Sequence, residues 1–586
     1  MRLATGFVSL LLIAVPAAAQ HFHHHVDAGL GEQFRRSPCA KEYTKPPLDA
    51  AWQKVTWEPT SQSADARKYF RQGMTQYYAF NFEESARNFR AALQTDPAMA
   101  MAAWGIALAS GPNININMQG KCAEDALHNA RLAVELAKKQ PGITAPERGL
   151  IEALDARYGT GALDPVAYAV GLRRVWTNAK SDPDITAAYA ESLMDLRPWG
   201  LFDNALRPAL DTHEIIGMLQ FALKAHDHAI GANHLLIHAV EAGPSPSTAQ
   251  HSADILAGLV PASGHLNHMP SHINLLVGNY AKAVENNTEA ADVDKRDYAA
   301  ACAGSFDEYW ANPNCPAVYY GHYLGHNYFF RSVAAAFAGM SKVAIEAAND
   351  TNAHVQRFVA NEPGLQRYLA TPMMMLAAHQ RWDAVMAEPE PDDSCYAQKP
   401  FLEPTGCHIL RAVFFYARGM ALASRVNLDG ARRNYNFMLG HIASISPPTP
   451  TGWGNNAAAV VLAVPTDLLR ARIAWAENKK DEAIEHLKLA VTHEDAMVYD
   501  EPPQWFAPAR ESLGGAYLKT AQYGKAVDTF HTALEQHPKS GRALYGLMRA
   551  CEKATKPNAK CPADVEEQFQ AAWKHADYAM DVDRLW

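Results

Sequence analysis

Eleven of the 114 residues from His213 to His326 are histidine, in a chain of 586 residues that carries 25. Within that window three pairs have the spacing His-x-x-x-His: His234 with His238, His268 with His272, and His322 with His326. Random scattering gives roughly one such pair in the whole chain, so three in one stretch require a cause. Residues four apart share a helix face, and each pair therefore offers two imidazoles to one point. Imidazole suits copper, zinc and iron, whereas magnesium and calcium take oxygen ligands. His228 and His265, just ahead of the first and second pairs, are further candidate ligands. His213, His226, His251 and His354 rank below them. Any one of these alone reads as a hydrogen-bonded side chain between helices. The three pairs together read as a metal site holding one or two ions.

Two chemistries fit such a site. In one, two ions each take about three histidines, as in helical dicopper oxidases that bind dioxygen. In the other, one zinc ion takes three or four histidines and activates water, with Glu241, three residues past His238, as candidate general base. Purely histidine ligation lets copper change oxidation state, so copper or another redox metal is preferred, with zinc and iron as the other options. The reading is of an oxidoreductase, with a zinc-dependent hydrolase as the alternative. Tyr319, Tyr320, Tyr323, Tyr328 and Phe329 lie near the third pair and read as core packing.

The local sequence puts all three pairs on helices. The run from Asn233 to Glu241 is stopped by Gly243-Pro244. His268 to His272 opens a helix in which Pro270 occupies the first turn, where a missing N–H costs nothing. His322 to His326 lies in a long apolar helix ending near Gly339. Gly321 and Gly325 cost that helix about 1 kcal/mol each relative to alanine, which points to a close approach to its backbone.

Those helices belong to a repeating pattern. Leu513, Gly514, Tyr517, Ala526, Phe530, Ala533 and Pro538 are spaced as in a tetratricopeptide unit: small residues where two helices touch, large ones in the groove, proline at the end. Phe415, Gly419, Leu422, Ala431, Tyr435 and Met438 form another copy. Ala483, Leu487 and Ala490 mark a further second helix, Gly278-Asn279-Tyr280 with Ala283 and Ala290 a further turn, and Gly73, Phe89, Ala92 and Pro97 the first unit. The chain thus resembles the tetratricopeptide family over residues 66–586, with its clearest units at 411–444 and 507–550 and the histidine-rich region at 213–326. The resemblance implies an all-α solenoid of antiparallel helix pairs. No segment alternates with period two, so β structure is expected to be minor. Residues 20–65 carry no repeat and are expected to lie along the outside as an extended arm. Such solenoids commonly bind on their concave face, so a non-enzymatic adaptor that holds a peptide or protein there is the third reading, beside an enzyme taking a small-molecule substrate.

The segment His265-Leu266-Asn267-His268-Met269-Pro270-Ser271-His272-Ile273 resembles a motif of exported bacterial tetratricopeptide proteins, as does Asp500-Glu501-Pro502-Pro503-Gln504-Trp505 with the repeat after it. That resemblance implies a fold and an exported location but no activity. Asn274-Leu275-Leu276 departs from it, an aromatic or basic residue being expected after Ile273.

The chain ends and the cysteines agree with export. Arg2, the apolar run Leu3 to Val15 and the small residues Ala17-Ala18-Ala19 read as a cleavable signal over 1–19, and the location as periplasmic or secreted. Cleavage after Gln20 would leave His21-Phe22-His23, a square nitrogen site for Cu(II), although a flexible polar tail is the simpler reading. Eight cysteines, with Cys302 near Cys315, Cys395 near Cys407 and Cys551 near Cys561, leave Cys39 and Cys122, and suit disulfides better than metal thiolates. No other segment is apolar enough to span a membrane. A net charge of -9 without a basic stripe argues against nucleic acid. Absence of a G-x-S-x-G elbow, a phosphate loop and C-x-x-C-H disfavours serine hydrolysis, nucleotide chemistry and c-type haem.

Overall fold

A computed structural model describes residues 44–115, 121–159, 162–302, 315–359, 362–392, 404–445, 452–554 and 560–586. The signal segment, the histidine-rich tail after it, Cys39, Cys395 and the prolines at 447–450 lie outside the described residues.

The chain is an all-α, tetratricopeptide-type solenoid of antiparallel helix pairs. Ala64–Tyr78 packs on Phe82–Thr95, Ala100–Ala109 on Lys121–Lys139, and Ala145–Tyr158 on Pro165–Thr177. Farther along the chain, Gly325–Phe337 packs on Ser341–Val355, Pro404–Ser424 on Leu428–Ala443, Ala458–Ala476 on Lys480–Asp495, and Ala509–Lys519 on Tyr523–Gln536. Among the described residues, β structure amounts to Gly452–Trp453 paired with Asn456–Ala457 and one isolated bridge, Phe202 with Pro208. No described helix is long and apolar enough to cross a membrane.

One turn recurs through the array. At Phe80, Gly278, Gly339, Gln380, Val426, Asn478 and Ala521 the second residue past a helix adopts positive φ, and the next helix starts two residues on. In each case the residue after the turn donates back five positions, as Asn81 N to Gln76 O and Gln522 N to Tyr517 O, capping the carbonyls a helix end leaves free. The same turn thus joins the two helices of each of these seven pairs.

Small residues then let the hairpins close. Phe530 is fully buried between Gly514 and Gly546, where a Cβ would come within 2.5 Å and 2.2 Å of its ring. Truncating it would cost about 3–5 kcal/mol. The glycines of the third pair are explained in the same way: Phe358 packs on Gly321 and Val355 on Gly325.

Residues 44–63 carry one short 3-10 turn, Ala50–Trp52, and are tied to the first hairpin by Asp49 N to Gln72 Oε1 (2.9 Å) and Tyr69 OH to Pro46 O (3.1 Å). Cys302 is bonded to Cys315 and Cys551 to Cys561, 13 and 10 residues apart in the chain. Cys122 and Cys407 are also disulfide-bonded, so no described cysteine is free.

Candidate metal centre

Four helical elements supply the centre. Ile230–Glu241 carries His234, His238 and Glu241, which fall on one face at intervals of four and three residues. Gly264–His268 and Pro270–Leu276 run on through Met269, whose backbone is helical, so His265, His268 and His272 also share a face. Gly325–Phe337 brings His326 in its first turn. Tyr280–Ala301 packs behind them and contributes Asn287.

The imidazoles form two sets of three. In the first, His234 Nε2 lies 3.1 Å from His238 Nε2 and 3.2 Å from His265 Nε2. In the second, His268 Nε2 lies 2.7 Å from His272 Nε2 and 3.2 Å from His326 Nε2. The sets adjoin, with ring centroids 5.6 Å apart for His238 and His272 and 5.8 Å for His265 and His268. Each set joins one i, i+4 pair to a third histidine from elsewhere.

The outer nitrogens show which way the rings are protonated. His234 Nδ1–H donates to the Tyr78 carbonyl at 2.7 Å, one of the acceptors left over at the end of Ala64–Tyr78. His268 Nδ1–H donates to Asn287 Oδ1 at 2.6 Å, and that amide is oriented because its nitrogen donates to Ala283 O. His238 Nδ1–H donates to Glu241 Oε1 at 2.6 Å. His272 Nδ1 lies 2.6 Å from both Glu241 Oε2 and Glu501 Oε2. A carbonyl or carboxylate can only accept, so these four rings carry a proton on Nδ1 and turn Nε2 inward. Metal-binding histidines are held in this way by their outer nitrogens. His265 Nδ1 is buried and meets no hydrogen-bond partner among the described residues.

Burial holds His234, His265 and His268 well below the usual imidazole range, so they stay neutral. Burial acts the same way on His272, but the carboxylates of Glu501 and Glu241 outweigh it and push it up to about 10. Burial opposes charge on Glu241 too, yet the imidazoles of His272 and His238 keep its carboxyl well below the usual range. Glu501 is pushed up to about 8 by burial and by the Glu241 charge. Tyr499 OH donates to Glu241 Oε2 at 2.9 Å. His238, Glu241, His272 and Glu501 also form a cluster of metal-ligand type, but its histidines would have to bind through the Nδ1 atoms that already donate to the carboxylates.

Six of the eight histidines expected as ligands therefore meet: His234, His238, His265, His268, His272 and His326. Two do not. His228 is exposed and pairs with Asp227 at 2.7 Å, because it precedes Ile230–Glu241 on an open turn. His322 turns away to Glu362 Oε2 at 3.0 Å. The cause is a π turn over Tyr320–Leu324, whose wider winding breaks the i, i+4 register with His326 and presents Tyr323 to His265 instead, at 4.7 Å between rings. His213, His226 and His251 are exposed, and His354 donates to Tyr320 O. Glu241 braces two imidazoles from behind and does not face the Nε2 side as a free base.

Sequence reading missed Tyr78, Phe80, Asn287, Phe330 and Tyr499. Phe80 is the turn residue after the first helix, and its ring lies 4.4, 5.2 and 5.8 Å from those of His234, His265 and His238. Phe330 covers His268 and His272 at 5.0 and 5.2 Å. A signal for Tyr499 and Glu501 was present: the segment resembling exported tetratricopeptide proteins at 500–505 meets the other such segment, 265–273, at this centre.

No protein-family model matches the sequence, and no curated protein matches it. Among solved structures it is similar to the human IFIT1 dimer with PPP-AAAA, at 12% identity and TM-score 0.31 over 88% of this chain and 97% of that one. Ypp1 is similar at 9% identity and TM-score 0.36 over 89% of each chain. The APC/C hetero-tetramer Cut9-Hcn1 is similar at 13% identity and TM-score 0.27 over 84% and 78%. At such scores the site is read from its own geometry.

Proposed function

We propose that this protein is an exported metalloprotein on a tetratricopeptide scaffold that holds two transition-metal ions, one by His234, His238 and His265 and one by His268, His272 and His326. Its activity on this reading is that of an oxidoreductase using copper or another redox metal. One observation carries it: six Nε2 atoms converge in two triplets, and the Nδ1 protons of four of the rings, His234, His238, His268 and His272, are committed to outer acceptors. Ligand atoms about 2.0–2.1 Å from one ion lie roughly 3–3.5 Å apart, and three of the four spacings here, 3.1, 3.2 and 3.2 Å, fall in that interval.

The all-nitrogen ligand set favours a redox role, since both nearby carboxylates stand behind the imidazoles. Two adjoining three-histidine sets also suit zinc, which keeps a zinc-dependent hydrolase as the second reading. The adaptor reading loses its support from these histidines, because five of the six are at most 6% exposed and offer nothing to a peptide. Export is supported by the leader-like start and the disulfides.

Metal analysis of protein isolated from the periplasm, and again after reconstitution with copper, zinc or iron, tests the proposal. Two ions per chain are expected. Less than half an ion with every metal offered would refute it.

A further inference from the structure

The two ions on this reading would sit behind a wall of rings. Phe80, Tyr323 and Phe330 close over the imidazoles, and His234, His238, His265, His268 and His272 are all buried. A cavity of about 20 Å³ breaks the wall at His238. Its other walls are Ile114, Met194, Trp199, Leu201 and Ala242. Trp199 sets its indole edge-on to the His238 ring, 5.6 Å between centroids, from a backbone with φ 60°. Arg197 also borders the cavity, but its guanidinium is paired with Asp211.

A water needs roughly 10–15 Å³ of such volume, so the space admits one or two atoms of that size. A water there needs two to four polar partners, and small apolar cavities otherwise stay dry and take up apolar guests. With aliphatic and aromatic walls and its one cation neutralised, the cavity offers nothing to an anion.

We propose that this cavity is the binding place for the molecule that reacts at the metal pair, and that this molecule is small, uncharged and apolar, of at most two heavy atoms. For a redox metal the member of that class is dioxygen. The inference rests on the metal reading but makes a separate claim about size and polarity. A second, larger substrate would then have to exchange electrons or protons with the centre without touching it.

Xenon is the probe. Crystals of the full chain pressurised with xenon should show an atom beside His238 whether or not metal is bound. Leu201→Phe and, independently, Ile114→Phe should abolish that atom and keep both ions. In copper-loaded, reduced protein they should slow reaction with dioxygen at least tenfold. Absence of xenon from the wild-type cavity would overturn the proposal. So would a filled variant that retains both ions and reacts at the wild-type rate. Metal analysis of the same samples separates these outcomes: a wild-type chain without metal refutes the metal centre, whatever xenon does.

Discussion

The Nε2 atoms of His268 and His272 face each other across 2.7 Å. Both rings commit the proton of the other nitrogen to an acceptor, Asn287 Oδ1 for His268 and Glu241 Oε2 for His272. Two lone pairs that close repel unless something positive lies between them. In metal-free protein that is a proton, because the carboxylates push His272 up to about 10. A metal ion binding there would have to displace it.

Affinity at the second set should therefore rise with pH. The sign follows from the raised value: below about 10 His272 holds a proton the metal has to expel, and metal binding releases protons. Between pH 7 and 9 we expect about tenfold tighter binding per pH unit there. At the first set, His234 and His265 are already neutral, and little change is expected. Calorimetric titration with Zn(II) in buffers of differing ionisation enthalpy should count about one proton released per chain. Equal pH dependence at both sets would contradict this.

Replacing one pair should remove one ion. The double variant His268→Ala with His272→Ala is expected to bind a single ion and to keep its far-ultraviolet helical spectrum. His228→Ala with His322→Ala should still bind two. An ion bound only by the folded state stabilises it by about 2.7 kcal/mol at a hundred times its dissociation constant. Chelation should thus lower the melting temperature of the wild type and leave a variant lacking all six ligands unmoved.

Glu241 serves both sets, accepting from His238 with Oε1 and from His272 with Oε2. Glu241→Gln keeps the shape but leaves one oxygen to accept. Substitution behind a metal ligand typically costs 10–100-fold in affinity, and a loss of that size is expected at one set or both. Competition against a chromophoric chelator reads it. Wild-type affinity at both would show that Glu241 does not position the ligands.

Processing and disulfides are tested on exported protein. The mature chain is expected to begin near Gln20 and, after denaturation without reductant, to show no reactive thiol. Four or more thiols would sink the disulfide framework, and an intact Met1 would sink the leader.

Two of the histidine pairs were legible because an α-helix brings residues four apart to one face: His234 with His238 and His268 with His272 follow that rule. His322 breaks it because a π turn cannot be told from an α turn by spacing alone. Phe80 was illegible for a related reason, since positive φ favours glycine and a phenylalanine gives no warning of it. The hairpins were legible where glycine and a large residue recur at repeat spacing, as at Gly514 and Phe530.

By itself, then, the sequence determined the helical scaffold, its repeat and the pairing of His234 with His238 and of His268 with His272, because those depend on contacts within one or two helical turns. The tertiary structure alone decided that His265 joins His234 and His238, that His326 joins His268 and His272, and that Tyr499 and Glu501 brace them from more than two hundred residues away. The third imidazole and the outer partners come from other parts of the chain. Their meeting is set by how the solenoid packs, and no local spacing encodes it.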